Sequence, residues 1–253
     1  MDLDSLIIAV FCAVDDALRQ AAPPRLRRRG PRPVLSDAEV LTVEVVGEHL
    51  GLDRDSELFS YFRRHYGHFF PALGRVHRTT FARQAANLWR VKEALWQRLL
   101  PRTGCDPTWA MVDSFPLSVC RFGRAPRCRR FRGLAGYGRD HAAKATIYGF
   151  RLHARVAWPG VVTRLSLAPA GAADVAVLEE LTDGTRGPCL GDRAYWKPEL
   201  HRQLRERGVE MLVPFRKASH DPTPERSRVI TSIRYRIETV FGQLSERLSV
   251  KRV

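Results

Sequence analysis

The hydrophobic pattern of this 253-residue chain changes abruptly near Pro107, and this change is the strongest constraint on its fold. Before that point, apolar residues recur at three- and four-residue steps, as at Leu3, Leu6, Ile7 and Val10, which predicts amphipathic helices. After it, short apolar runs alternate with turn residues and amphipathic stretches, which is typical of an α/β domain. The pattern therefore predicts an all-helical N-terminal region over residues 1–104 and an α/β domain over residues 105–253.

The first region predicts four helices. Ser36-Asp37-Ala38-Glu39 has the form of a capping box before an apolar run, and one long helix is expected from Thr80 to Leu99. The polar block His77-Arg78-Thr79-Thr80, with Arg83 and Asn87, would suit a helix that enters a DNA groove, as in helix-turn-helix proteins. It would suit the polar face of a small helical bundle equally well.

The second region predicts five strands, at residues 108–113, 146–156, 161–167, 187–192 and 209–214. Helices are expected at 173–181, 197–207 and 228–248. The turn Trp158-Pro159-Gly160 joins the second and third strands as an antiparallel hairpin, whereas the later strand-helix-strand unit needs a parallel crossover. We therefore expect a mixed five-stranded sheet that is flanked by helices.

The charge of the chain points to a polyanionic partner. It has 42 Lys and Arg against 27 Asp and Glu, which gives a net charge of +15. The excess is concentrated in two segments that also contain Gly and Pro, Arg25–Arg32 and Arg121–Lys144, and both are expected to be flexible loops. A solvated surface is the plain alternative to phosphate contact. The candidate DNA-binding residues of the second loop are Arg127, Arg129, Arg130, Arg132 and Lys144.

Several classes of protein do not fit the sequence. The five cysteines are odd in number and scattered, which argues against a disulfide framework. The apolar run Leu6–Val14 is too short for a membrane span and lacks the basic flank of a signal peptide. Cys120, Cys128 and His141 lack the close ligand pairs of a zinc site, and there is no Walker-type loop for ATP. A cytoplasmic protein without a membrane partner is expected.

Three acids occupy positions that suit metal-ion chemistry. Asp113 and Asp192 each end a predicted strand, and Glu238 lies in the last predicted helix, four residues after Arg234. Taken alone, a Glu beside an apolar stripe is usually a surface residue with a salt bridge. Together the three carboxylates could hold two Mg²⁺ or Mn²⁺ ions, the arrangement with which many enzymes cleave phosphodiesters.

The motifs around these acids resemble those of the DDE (Asp-Asp-Glu) transposases of bacterial insertion sequences, whose catalytic domain has a ribonuclease H-like fold. The resemblance extends over most of the chain. The matching segments are Leu35–Glu39, Val112–Pro116, Lys144 with Ile147–His153, Gly191–Tyr195 and Arg236–Leu244.

The resemblance implies a role for each matching residue. Asp113, Asp192 and Glu238 would hold two metal ions, which first cleave at the element's ends and then let the freed 3′ hydroxyl attack target DNA. Arg234 would contact phosphate or orient Glu238. Apart from the resemblance, the aromatic residues Tyr195 and Trp196, just beyond Asp192, could stack on an extruded or terminal base or could cover the end of the sheet. The implied partners are double-stranded DNA, in the form of terminal inverted repeats and target, and a second copy of the chain assembled on it. The implied location is the nucleoid of a bacterial cytoplasm.

Two departures from the family keep alternatives open. Related transposases carry a Tyr and a Lys at the positions occupied here by Thr231 and Ser245, and the sequence ends soon after Glu238. One alternative is a ribonuclease H-like nuclease that hydrolyses DNA without joining it. The other is a catalytically inactive, transposase-derived DNA-binding protein.

Overall fold

The computed structural model describes residues 1–21 and 32–247. The chain divides into two compact units, Met1–Thr103 and Gly104–Val253. Almost all of the first arginine-rich segment, Arg25–Arg32, lies outside the described residues, as does the predicted end of the last helix at Leu248.

The described part of the first unit contains five α-helices. A single core of apolar side chains joins them, including Val40, Phe62, Leu73 and Phe81. None of the helices in the described ranges of the chain is long and apolar enough to cross a membrane. The helices are α1 (Leu3–Ala21), α2 (Asp37–His49), α3 (Asp55–His65), α4 (Arg78–Asn87) and α5 (Trp89–Leu99).

Local signals in the first unit are confirmed in one case and wrong in another. The capping box of α2 forms, because Glu39 N–H donates to Ser36 Oγ while the Ser36 N–H donates to the Glu39 carboxylate at 2.7 Å. The single helix predicted from Thr80 to Leu99 is wrong. The chain leaves helical geometry at Leu88, whose side chain is fully buried in the core, so two shorter helices replace it.

The described part of the second unit is a six-stranded mixed sheet with helices on its faces, which confirms the predicted ribonuclease H-like α/β class with one strand more than expected. The strand order is β2-β3-β1-β5-β6, with β4 also paired to β3. β3 is antiparallel to β1, β2 and β4, whereas β5 is parallel to β1 and β6. The strands are β1 (Asp106–Ser118), β2 (Gly136–Asp140), β3 (Ala145–Trp158), β4 (Val161–Pro169), β5 (Gly187–Leu190) and β6 (Val209–Leu212). The α-helices are α6 (Leu178–Thr182), α7 (Pro198–Glu206) and α8 (Pro224–Glu246).

The extra strand, β2, lies inside the segment Arg121–Lys144 that was expected to be a loop throughout. Its glycines suggest a turn, but they allow close packing instead: a Cβ on Gly138 would lie 2.1 Å from the carbonyl oxygen of Ala170. The first predicted strand was also too short. β1 continues past Asp113 to Ser118 because it stays paired with β3 there. The hydrophobic pattern does not indicate this continuation, because Ser114 is polar.

Side chains of β1 alternate between two cores on opposite faces of the sheet. Ala110 and Val112 pack in the core that includes α6 and α7, whereas Met111 and Phe115 pack in the core that includes α8. Asp113, between Met111 and Phe115 in this alternation, therefore faces α8.

Candidate active site

Asp113 and Asp192 are brought to the same end of a short parallel pairing between β1 and β5. β1 and β5 pair at Ala110 with Cys189 and at Met111 with Leu190, so each Asp follows two residues after the last pair. Since each Asp lies two residues beyond this pairing, the two carboxylates are close enough for the charge of Asp113 to act on Asp192. Burial raises the pKa of Asp192, and the neighbouring negative charge of Asp113 raises it further.

Arg234 of α8 contacts one member of this carboxylate pair, Asp113. Its Nη2 donates a hydrogen bond to Asp113 Oδ2 at 2.7 Å, and only 11% of the Arg234 side chain and 15% of the Asp113 side chain are exposed. The positive charge of Arg234 also lowers the pKa of Asp192, against the effect of burial. The Nε–H of Arg234 is buried and has no hydrogen-bond partner among the described residues.

Backbone N–H groups hold the two aspartates in place. The Asp113 Oδ1 accepts from the Ser114 N–H at 2.8 Å. The Asp192 Oδ1 accepts from the Ala194 N–H at 2.9 Å, at the start of the short turn Arg193–Tyr195. Both carboxylates are therefore oriented before any ligand arrives, which is what a preorganised site requires.

A buried polar cluster lies next to the pair, and one of its members was missed by the sequence analysis. Asp174 Oδ1 accepts from Ser114 Oγ at 3.0 Å and lies 3.6 Å from Arg151 Nη1 and 3.8 Å from His153 Nδ1. Burial lowers the pKa of His153, against the opposing effect of Asp174. No sequence signal singled out Asp174, because its neighbour Ser114 is 60 residues away in the chain.

Tyr195, predicted to contact DNA or to cover the sheet end, is fully buried. Its hydroxyl lies 3.4 Å from His153 Nδ1, and burial raises the pKa of this hydroxyl well above its usual value. The ring packs in the core that includes α6 and α7. Tyr195 therefore supports the loop that carries Asp192 and presents no face to a ligand.

Glu238, the third predicted acid, is not gathered with the other two. It is exposed on α8, one helical turn after Arg234. Within residues 1–21 and 32–247, no group of three or more His, Cys, Asp or Glu side chains is placed to hold a metal ion. The pair Asp113 and Asp192 fits a divalent cation in its donor chemistry, because Mg²⁺ prefers carboxylate oxygens and would relieve the repulsion between them.

The predicted DNA-binding residues of the second arginine-rich segment are all on the surface. Lys144 adopts a left-handed backbone conformation, with φ of 52°, in the turn between β2 and β3. The exposed residues are Arg127, Arg129, Arg130, Arg132 and Lys144.

Comparison with known proteins gives one match for the second unit. A family model described as a transposase DDE domain matches residues 104–252, which is more than half of the chain. The matched range contains the whole sheet, Asp113, Asp192 and α8. No curated protein and no solved structure matches the chain.

Proposed function

Because the chain belongs to the family of transposases with a DDE domain, we propose that it cleaves DNA at the ends of a mobile element and joins the freed 3′ hydroxyl to target DNA. The observation that carries this proposal is the half-buried pair Asp113 and Asp192 at the end of the pairing between β1 and β5, with Arg234 bonded to Asp113. The mobile element is proposed to be a bacterial insertion sequence, and the protein to act at the bacterial nucleoid.

The proposal assigns the metal ligands as Asp113, Asp192 and Glu238, holding two Mg²⁺ or Mn²⁺ ions. When bound, such ions activate the attacking oxygen and stabilise negative charge on the leaving oxygen. Glu238 and Arg234 are on one side of α8, four residues apart. Glu238 would therefore have to move toward the pair when the ions bind, since it is exposed on α8 in this structure.

The other residues of the site bind and orient. Arg234 balances the charge of Asp113, and its guanidinium is proposed to contact a phosphate of the bound DNA. The N–H groups of Ser114 and Ala194 fix the two carboxylates. Tyr195, locked in the core, keeps the Asp192 loop from moving when DNA enters.

DNA contacts are proposed in both units. In the second unit, Arg127, Arg129, Arg130, Arg132 and Lys144 contact phosphates. In the first unit, residues 1–104 bind DNA through α4, whose exposed side includes Arg78, Thr79, Arg83 and Asn87. The duplex would carry the terminal inverted repeats, and two copies of the chain would assemble on it to bring two ends together.

The test is strand cleavage by the purified chain on DNA that carries the element's ends, with Mg²⁺ present. Asp113→Asn, Asp192→Asn and Glu238→Gln should each abolish cleavage while DNA binding persists. Glu246→Gln, a charge-matched change on an exposed position of the same helix as Glu238, should cleave like the wild type. Wild-type cleavage by Asp192→Asn would refute the assignment.

The exposed position of Glu238 favours one second candidate, a transposase-derived protein that binds DNA without cleaving it. Such a protein would bind DNA with strong salt dependence but would give no Mg²⁺-dependent product. A nuclease would give hydrolysis products alone, whereas a transposase would also give strand-transfer products. One gel-based assay with labelled donor and target DNA separates the three.

A further inference from the structure

The segment between β1 and β3 exposes large apolar side chains as well as arginines. The exposed fractions are 54% for Phe122, 51% for Phe131, 64% for Leu134 and 52% for Tyr137. Single exposed apolar residues are ordinary, but several in one short segment mark a binding surface. The exposed arginines among them are Arg121, Arg124, Arg127, Arg129, Arg130, Arg132 and Arg139.

Phe131 is held in a backbone conformation that an aromatic residue rarely adopts. Its φ is 56°, in the left-handed region. The N–H groups of Leu134 and Ala135 both donate to its carbonyl oxygen, at 3.0 and 2.9 Å. Its ring meets the ring of Phe150 edge-on, with centroids 5.4 Å apart. These contacts hold one half of the ring against the protein while the rest faces solvent, and such strain is concentrated at functional sites.

The ring stands on the same face of the sheet as the carboxylate pair. Phe150 lies on β3 in alternation with Leu152 and Ala154, which pack in the core that includes α8, the side that Asp113 faces. Ala154 is the residue of β3 paired with Asp113. The four steps along β3 from Ala154 to Phe150 span about 13 Å, the length of roughly four nucleotides at the spacing of duplex DNA.

We propose that Phe131 is a stacking platform for an unpaired base of the DNA strand held at the carboxylate pair. Arg129, Arg130 and Arg132, its exposed neighbours, contact the phosphates on either side of that base. The inference rests on the proposed function and adds to it the state of the substrate, which is a DNA end with at least one base out of the duplex.

The chemistry of the segment selects this partner. The positive charge excludes an apolar protein surface as the natural occupant and suits a polyanion. Inside a duplex, neighbouring bases cover both faces of every internal base pair, so an aromatic side chain that meets the side of the helix has no base face to contact. An unpaired base offers its face to an aromatic ring, whatever its sequence. The combination of arginine and aromatic side chains is that of single-strand binding surfaces.

The experiment measures binding without divalent cations, so that no cleavage is required. Two DNA probes of the same sequence are compared, one fully paired and one forked, with 2-aminopurine placed at successive unpaired positions of the fork. The wild-type chain should quench 2-aminopurine at one or two positions. Phe131→Ala should lose the quenching and bind the fork about tenfold more weakly, within the range measured for loss of one base-aromatic stack, while its affinity for the paired probe stays unchanged. Phe131→Tyr should quench like the wild type.

Two further variants separate stacking from charge and from general damage. Leu167→Ala removes a comparably exposed apolar side chain from β4, outside this segment, and should behave like the wild type. Replacing Arg129, Arg130 and Arg132 together by Ala should weaken both probes and flatten the salt dependence. Circular dichroism melting of each variant checks that the fold is kept.

The inference is overturned if the wild type quenches no position, if Phe131→Ala quenches like the wild type, or if it weakens both probes equally. A chain that quenches but never cleaves would contradict the proposed function and leave the stacking platform standing. If the wild type cleaves but Phe131→Ala binds the fork normally, the stacking platform is overturned and the proposed function stands.

Discussion

Replacing Arg234 by Gln should destabilise the second unit, because it leaves the Asp113 carboxylate without its cation. The two side chains are only 11% and 15% exposed, and their contact is 2.7 Å. Removing one partner of a fully buried ion pair costs about 3–5 kcal/mol, whereas exposed pairs are worth about 0–1 kcal/mol. The small remaining exposure places this pair near the lower end of the buried range, so we expect a loss of about 3 kcal/mol in the free energy of unfolding. The repulsion between Asp113 and Asp192, which Arg234 now offsets, contributes to that loss.

A double-mutant cycle isolates the contribution of the pair. Urea unfolding would be measured for the wild type, Arg234→Gln, Asp113→Asn and the double variant, with hydrogen exchange of the β1 amides as a probe of the second unit alone. In the Asp113→Asn background, Arg234→Gln should cost at least about 1.5 kcal/mol less, since a hydrogen bond to a charged group is worth about that much. Arg228→Gln, at an exposed position of the same helix, is the control. A cost below about 0.5 kcal/mol, or an equal cost in both backgrounds, would refute the reasoning.

Two further predictions concern stability. Asp192→Asn should raise the urea midpoint at pH 7 but not at pH 3. The folded-state pKa of Asp192 is raised by burial and by Asp113, so the stability that this group contributes is full at low pH and is lost as pH rises through that pKa, whereas Asn does not ionise and loses nothing. Equal midpoints of the variant and the wild type at pH 7 would contradict this prediction. Ser36→Ala should cost about 1 kcal/mol by removing the capping box of α2, whereas Ser36→Thr should keep most of the stability; thermal melting compares the two.

The association of Asp113 and Asp192 with central strands could be predicted from the sequence. Each of them follows a short apolar run, and apolar runs of that length form central strands. The exact end of the first run was not predictable, because whether β1 stops at Asp113 depends on its pairing with β3, which no local pattern encodes. The break at Leu88 was hidden in the same way, since helical periodicity continues through it. Long-range packing decided both.

The surroundings of the aspartates were predicted only in part. Arg234 was predicted to contact phosphate or to orient Glu238. The contact that the structure shows is with Asp113. Asp174 and His153 join the site through contacts between residues far apart in sequence, so spacing could not reveal their grouping. Tyr195 was placed beside Asp192 by the sequence, but its complete burial depends on the packing of α6 and α7.

Arg234 is synthesised long after the first aspartate that it contacts. Its partner, Asp113, precedes it by 121 residues, and α8 is the last helix of the described chain. A nascent chain on the ribosome therefore carries both aspartates for some time before the arginine that balances them exists. During that interval no arginine offsets the repulsion between the two carboxylates, so the site that the structure shows is complete only after α8 has been made.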